Sequence, residues 1–152
     1  MIRLFTIGYE DATPARLIGT LRDAGVTRLV DVRALANSRR PGFAKTALSA
    51  ALAEAGIGYV HAKALGTPAA GRAAVREGRP AEMRRIFAAH LDGTEAQAAL
   101  AGLNDQARQP GPERQVLCLL CLEADPAHCH RTLVAEAVAA GGGVSVTHLH
   151  PA

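Results

Sequence analysis

Between positions 121 and 131 the chain gathers two thiols, two carboxyl groups, two imidazoles and a guanidinium, on Cys121, Glu123, Asp125, His128, Cys129, His130 and Arg131. Cys129 follows the Asp125-Pro126 turn, at the point where a helix should begin. Helix N-termini and neighbouring cations lower thiol pKa values, so Cys129 is a candidate nucleophile, with His130 in the same catalytic group. Glu123 is a candidate acid or base, a role that requires burial to raise its pKa. Arg131 is a candidate anion holder, because a guanidinium at a helix start adds to the amide donors already there. An ordinary salt bridge from Arg131 to Glu123 or Asp125 competes with that reading. Cys121, Glu123, His128, Cys129 and His130 also fall close together, but in no standard zinc spacing. No metal and no cofactor is therefore assigned, and a metal-dependent enzyme built on this Cys/Glu/Cys/His cluster stands as an alternative.

Other thiol chemistries can be tested by counting. Cys118 and Cys121 form a C-x-x-C pair, but on an extended strand they lie roughly 10 Å apart and point to opposite faces. Cys118 reads first as a small apolar core residue, whereas Cys121 reads equally as a core residue or a site residue. A phosphatase-type loop needs Arg six positions after its Cys, and those positions after Cys118, Cys121 and Cys129 hold Ala124, Ala127 and Ala135. A sulfurtransferase needs its Cys to open a loop of backbone amides, whereas Cys129 runs into a helix.

A second group of charges lies earlier. Asp31 and Arg33 close the run Leu29-Val30-Asp31-Val32-Arg33, and buried strands rarely carry charge idly. Asp31 is a second candidate acid or base, and the two charges pairing with neighbouring strands is the competing reading. Arg33, Ser38 and Arg39, with Tyr9 after the first strand, are candidate substrate-binding residues. His148 and His150 are expected to face solvent.

These groups need elements to hold them. Residues 2–7 read as a first strand; Thr13-Pro14 caps a helix that runs to Gly25. Residues 26–33 form a second strand, 34–43 a polar loop, 45–55 a helix and 57–61 a third strand ending at His61. Residues 62–80 lose periodicity and suit a mobile lid or binding loop. Residues 81–90 and 94–107 are helical, the latter capped by Thr94, and residues 109–112 form a turn. The apolar run starting at 115 is a buried strand, followed by the Asp125-Pro126 loop, a helix, a glycine stop at 141–143 and a last strand over 144–148. Alternating strands and helices predict one α/β domain over residues 1–152: three layers, a mostly parallel five-stranded sheet, helices on both faces, Rossmann-like or flavodoxin-like. In such a sheet ligands bind at the carboxyl ends of the strands, and Tyr9, Asp31, Arg33, His61 and Glu123 all fall there.

At 152 residues the chain can bury a sizeable core, which 49% hydrophobic but only 3% aromatic content makes aliphatic. No Trp is present to stack on a base. A net charge of +3 favours anionic partners without the concentrated basic face of a dedicated nucleic-acid binder. No membrane span or leader segment is read, so a soluble cytoplasmic protein is expected. Three cysteines without a secretory signal argue for reduced thiols.

In order along the chain, Thr6-Ile7-Gly8-Tyr9, Leu29-Val30-Asp31-Val32-Arg33, Ser38-Arg39 with Pro41 and Phe43, Gly56-Ile57 before Tyr59, Leu65-Gly66, and Cys121-x-Glu123-x-Asp125-Pro126-x-x-Cys129-His130-Arg131 together resemble the family called domain of unknown function 488. The last motif is the most specific. The resemblance implies a small cytosolic α/β domain with no established reaction, some relatives being labelled as DNA-repair proteins. The chain departs from the pattern at Leu65-Gly66-Thr67, where Leu-Gly-Gly is expected, and where an aromatic-rich segment gives way to Arg and Ala with only Phe87 nearby. The second strand also resembles one early in rhodanese domains, over a short stretch.

The expected function is an enzyme acting on a phosphate-bearing substrate, a nucleotide or nucleic-acid component, at the strand ends. The alternative from a different class is a non-catalytic nucleic-acid-binding module using Arg39-Arg40, Arg72, Arg76, Arg79 and Arg84-Arg85. It would bind with strong salt dependence and indifference to Cys129 and Glu123.

Overall fold

A computed structural model describes residues 1–151. Five strands, β1 (Ile2–Gly8), β2 (Arg28–Asp31), β3 (Gly58–His61), β4 (Leu117–Cys121) and β5 (Val144–Leu149), form one sheet in the order β3-β2-β4-β1-β5. Every pairing is parallel. The central strand β4, Leu-Cys-Leu-Leu-Cys, is buried at every position. Such an unbroken apolar run belongs in a parallel sheet covered on both faces, where no side chain meets water. The edge strands β3 and β5 are only half-buried, and their sequences carry Tyr, His, Ser and Thr accordingly.

Six helices cover the sheet: α1 (Pro14–Asp23), α2 (Lys45–Glu54), α3 (Ala69–Arg76), α4 (Pro80–Leu91), α5 (Thr94–Arg108) and α6 (His130–Ala139). Helix α1 starts where Thr13 accepts a hydrogen bond from the Arg16 amide at 3.3 Å, with Pro14 in the first turn. It buries Leu17 and Leu21, and α2 buries Leu48 and Leu52, against Phe5, Ile7, Leu29, Cys118 and Leu120. Each such leucine contributes about 1.5–3 kcal/mol on burial. Helices α3 to α6 cover the other face through Ala74, Met83, Phe87, Leu100 and Val134, packed on Leu4, Val30, Leu119 and Cys121. Cys118 and Cys121 thus lie in cores on opposite sides of the sheet, as strand alternation requires.

The chain leaves β1 over one face to reach β2 and β3, then leaves β4 over the other face to reach β5. Neighbouring strands β1 and β4 therefore send their loops in opposite directions, which is the switch point where open α/β sheets form a crevice.

The structure departs from the sequence reading in three places. Residues 62–80 are not an irregular lid: a 3-10 turn (Lys63–Leu65) and α3 (Ala69–Arg76) occupy the segment, with Leu65 and Ala74 buried. A helix of eight residues is too short to be stable by itself, and its order comes from packing on α4. The cap of α5 is Gly93, not Thr94. His148 is half-buried and not freely solvated, because the Thr6 hydroxyl meets its Nδ1 at 2.6 Å. Burial, then the nearby Arg131 charge, lower its pKa. No helix among the described residues is long and apolar enough to cross a membrane.

Candidate functional site

The parallel register sets the strand ends level, with Gly8 opposite Cys121 and Asp31 opposite both His61 and Leu120. The switch point itself is closed. The Tyr9 amide donates to the Cys121 carbonyl at 3.2 Å and the Glu10 amide to the Leu122 carbonyl at 2.8 Å. The Glu10 carboxylate accepts from the Ala124 amide at 3.0 Å. A Cβ at position 8 would overlap the Glu123 carbonyl, so only glycine lets these loops meet.

The hollow lies beside this seam, toward β2 and α3. It measures about 350 Å³. Tyr9, Arg33 and Asn37 form one wall, Cys121, Glu123 and His130 the floor, and Thr67, Arg72 and Arg76 the wall contributed by the segment around α3. Gly66 makes that wall possible: a Cβ there would overlap the Ala34 backbone, which α3 must approach to close the cavity.

Asp31 and Arg33 form the rigid part of this edge. Arg33 donates through Nε to Oδ1 of Asp31 at 2.9 Å and through Nη2 to Oδ2 at 2.7 Å. The Arg33 amide donates to Oδ1 at 3.1 Å, and the Tyr59 hydroxyl to Oδ2 at 2.5 Å. The carboxylate, 0% exposed, is thereby fully engaged. The structure thus places Asp31, a candidate acid or base, in the buried pairing that was its competing reading, with four donors on its carboxylate. Burial raises the Tyr59 pKa, and the bond to Asp31 raises it further. Burial opposes the charge on Arg33, but its bond to Asp31 and that residue's charge outweigh this and raise its pKa. Nη1 of Arg33 also donates to the Tyr9 hydroxyl at 3.2 Å and the Phe43 carbonyl at 2.8 Å. That leaves one N–H on Nη2, on a residue that lines the cavity. Tyr9 stacks on Phe43 with ring centroids 4.6 Å apart.

Arg131, a candidate anion holder, lies deeper than the cavity. Its guanidinium is completely buried and donates to Thr6 Oγ1 at 3.1 Å, the Glu123 carbonyl at 2.5 Å and the Ala124 carbonyl at 3.5 Å. It ties the β4 loop to β1 and is not among the residues that line the cavity. Ser38 is half-buried and accepts from the Arg40 amide at 3.1 Å, while Arg39 is exposed; neither lines the cavity. Arg40 instead donates to the carbonyls of Tyr9, Glu10 and Ala12, holding the loop after β1.

Cys129 caps α6 as expected, but the expectation of an activated thiol is corrected: it is 3% exposed, and burial pushes its pKa well up. The benefit of the helix terminus does not offset the loss of water. Burial likewise raises Cys118. Cys129 and Cys121 converge with His130, their ligand atoms all lying within 4.8 Å of one another. His130 places Nδ1 3.5 Å from Cys121 Sγ, and its Nε2 lies 2.6 Å from the Val32 carbonyl. A carbonyl only accepts, so Nε2 carries a proton. Burial works against charge on this ring, but the contacts with Cys129 and the Val32 carbonyl prevail and its pKa is raised. Glu123, half-buried, sits with Oε2 3.5 Å from Cys121 Sγ.

Of the residues read from sequence, Tyr9, Arg33, Glu123 and His130 line the cavity, and Cys129 lies just behind it. Asn37 and Thr67 line it too and were not expected, and so do Arg72 and Arg76, which were expected only of the nucleic-acid-binding alternative. The i, i+4 spacing of Arg72 and Arg76 is the signal that puts them on one side of a helix. Arg72 is steadied by donating to the Thr67 carbonyl at 2.8 Å.

A family model described as Domain of unknown function DUF488 matches residues 13–138, most of the chain. No curated protein and no solved structure matches it.

Proposed function

The chain belongs to the family described as domain of unknown function DUF488, a description that assigns no reaction, and we propose that it is an enzyme acting on a small phosphate-bearing molecule held at the strand ends. The cavity carries this reading. Its volume of about 350 Å³ lies at the lower end of the range for small-molecule sites, suited to one nucleotide or a smaller phosphate ester. Two guanidinium groups, Arg72 and Arg76, face it from α3, and Arg33 offers its remaining N–H from β2. Asp31 neutralises Arg33, so α3 supplies the net positive charge that an anion needs.

Opposite these cations stand Glu123 and His128, the groups able to exchange a proton with a bound ester. Glu123 is the better placed. It lies two residues past β4 in a loop whose backbone Arg131 holds at the Glu123 carbonyl, whereas His128 is exposed and pairs with Asp125 at 3.4 Å.

The reading as a nucleic-acid-binding module has less support, because several of its arginines are engaged. Arg40 holds three backbone carbonyls, Arg79 pairs with Glu77 at 3.0 Å, and Arg85 pairs with Glu82. Neutralised cations contribute little to phosphate binding along a duplex.

Isothermal titration with inorganic phosphate, mononucleotides and sugar phosphates tests the proposal. Saturable one-to-one binding is expected for at least one of them. Arg76→Ala is expected to weaken it about 10-fold or more, the loss of one charge-assisted hydrogen bond. Binding that is equally tight in Arg72→Ala and Arg76→Ala, or a salt-sensitive affinity for long DNA that exceeds any small-ligand affinity, overturns it.

A further inference from the structure

We infer that Cys121, Cys129 and His130 form a site for a divalent soft-to-borderline metal ion, zinc above all, at the inner end of the cavity. The sequence spacing, Cys-x7-Cys-His, matches no standard zinc motif, and the site exists only because the end of β4 and the cap of α6 are brought together.

Size is the first argument. A tetrahedral zinc ion, with sulfur at about 2.3 Å and imidazole nitrogen at about 2.0–2.1 Å, separates sulfur from nitrogen by about 3.6 Å and sulfur from sulfur by about 3.8 Å. Cys121 Sγ and His130 Nδ1 are 3.5 Å apart, and no pair in the trio exceeds 4.8 Å. The ligand atoms therefore need to move by at most about 1 Å, within reach of χ rotations.

Orientation is the second. A metal-binding histidine almost always donates its other ring N–H to a carbonyl or carboxylate, which fixes the ring and aims the free nitrogen at the ion. His130 does this through Nε2 and the Val32 carbonyl at 2.6 Å. Phe87 packs edge-on against the same ring, centroids 5.1 Å apart, and holds its plane. The ring therefore points Nδ1 at the sulfurs for reasons independent of them.

Surroundings are the third. All three ligands are buried, at 7%, 3% and 6% exposure, and sit on a strand end and a helix start rather than on a free loop. Cys121 and His130 nevertheless line the cavity, so the ion's fourth position faces the hollow. Three protein ligands and one open position is the arrangement of a catalytic, not a structural, zinc site. Glu123, 3.5 Å from Cys121 Sγ but outside the compact trio, flanks that position where it can take a proton from a water on the metal. On binding, the two S–H protons and any proton on Nδ1 pass to solvent as the metal–sulfur and metal–nitrogen bonds form, and nothing is oxidised or reduced.

The test is uptake of Co²⁺ and Zn²⁺ by the reduced full chain without a histidine tag. The protein is expected to bind one Co²⁺ with thiolate charge-transfer absorption and the intense visible bands of a tetrahedral site, and Zn²⁺ is expected to bleach them. Cys129→Ala is expected to lose more than the roughly 10–100-fold in affinity that an outer-shell change costs. Cys118→Ala, on the far side of the sheet, is expected to keep the spectrum, and circular dichroism of each variant separates lost binding from lost folding. If Cys129→Ala is not folded, His130→Gln and Cys121→Ser carry the same expectation. A wild-type chain that gives no such bands, a spectrum that survives loss of any of the three ligands, or thiols that close to a Cys121–Cys129 disulfide in preference to taking up metal overturns the assignment. Because the readout uses metal alone, it stands or falls separately from phosphate binding.

Discussion

Asp31→Asn removes one charge from the buried node at the end of β2 and leaves its shape. In the wild type, Oδ1 accepts from Arg33 Nε and the Arg33 amide, and Oδ2 from Arg33 Nη2 and the Tyr59 hydroxyl. An asparagine amide can replace only one of these oxygens and turns its own donors toward Arg33 Nη2. Arg33 meanwhile stays cationic at 5% exposure, with its remaining bonds going to neutral groups. Breaking a buried pair in this way costs about 3–5 kcal/mol, a large fraction of a domain's total stability. Urea unfolding at neutral pH measures it as a lower midpoint at constant slope. The double variant Asp31→Asn/Arg33→Met is expected to be more stable than Asp31→Asn alone, because it removes the uncompensated charge. A cost below about 1 kcal/mol for Asp31→Asn, or a double variant no better than that single one, would refute the claim that this pair is desolvated and mutually dependent.

Arg131→Lys is expected to destabilise the chain nearly as much as Arg131→Met. A single ammonium cannot span Thr6, Glu123 and Ala124, and each buried carbonyl left without a donor costs about 1–3 kcal/mol; thermal unfolding of the two variants checks this. Alkaline pH is expected to destabilise the chain, beginning at about pH 8.5, where the Cys118 and Cys129 thiols ionise in the unfolded chain, and steepening above about pH 10, where Tyr59 does, because the folded pKa of each is raised. Tyr59→Phe is expected to cost about 1.5–3 kcal/mol at pH 7 and to flatten that alkaline fall, which pH-dependent urea midpoints would show.

Much of the architecture could be read from residue order. Leu29-Val30-Asp31-Val32 and the run 117–121 are long enough in apolar residues to declare buried strands, and Thr13-Pro14 declares a helix start. The clustering of Tyr9, Arg33, Glu123 and His130 at one edge followed from parallel pairing alone. What could not be read was depth. Arg131 and Asp31 carry charges that sequence places at a ligand edge, yet loop packing encloses both, and no local pattern distinguishes a guanidinium aimed at backbone carbonyls from one aimed at a phosphate. The same enclosure turns Cys129 from an activated thiol into a buried one. Helix α3 escaped because Gly66 and Pro68 before it, Gly71 within it and Gly78-Arg79-Pro80 after it give the segment the composition of a loop. With it went Arg72 and Arg76, which reach the site only after Gly66 docks on Ala34.

The most direct test of the cavity as the binding site is amide chemical-shift mapping by NMR during titration with the best-binding phosphate ester from the calorimetric panel. The account predicts saturable shifts centred on residues 33–37, 67–76 and 121–123. Shifts centred instead on Arg39, Arg84 and Arg85, or spread evenly over the arginines with no response at Glu123, would contradict it.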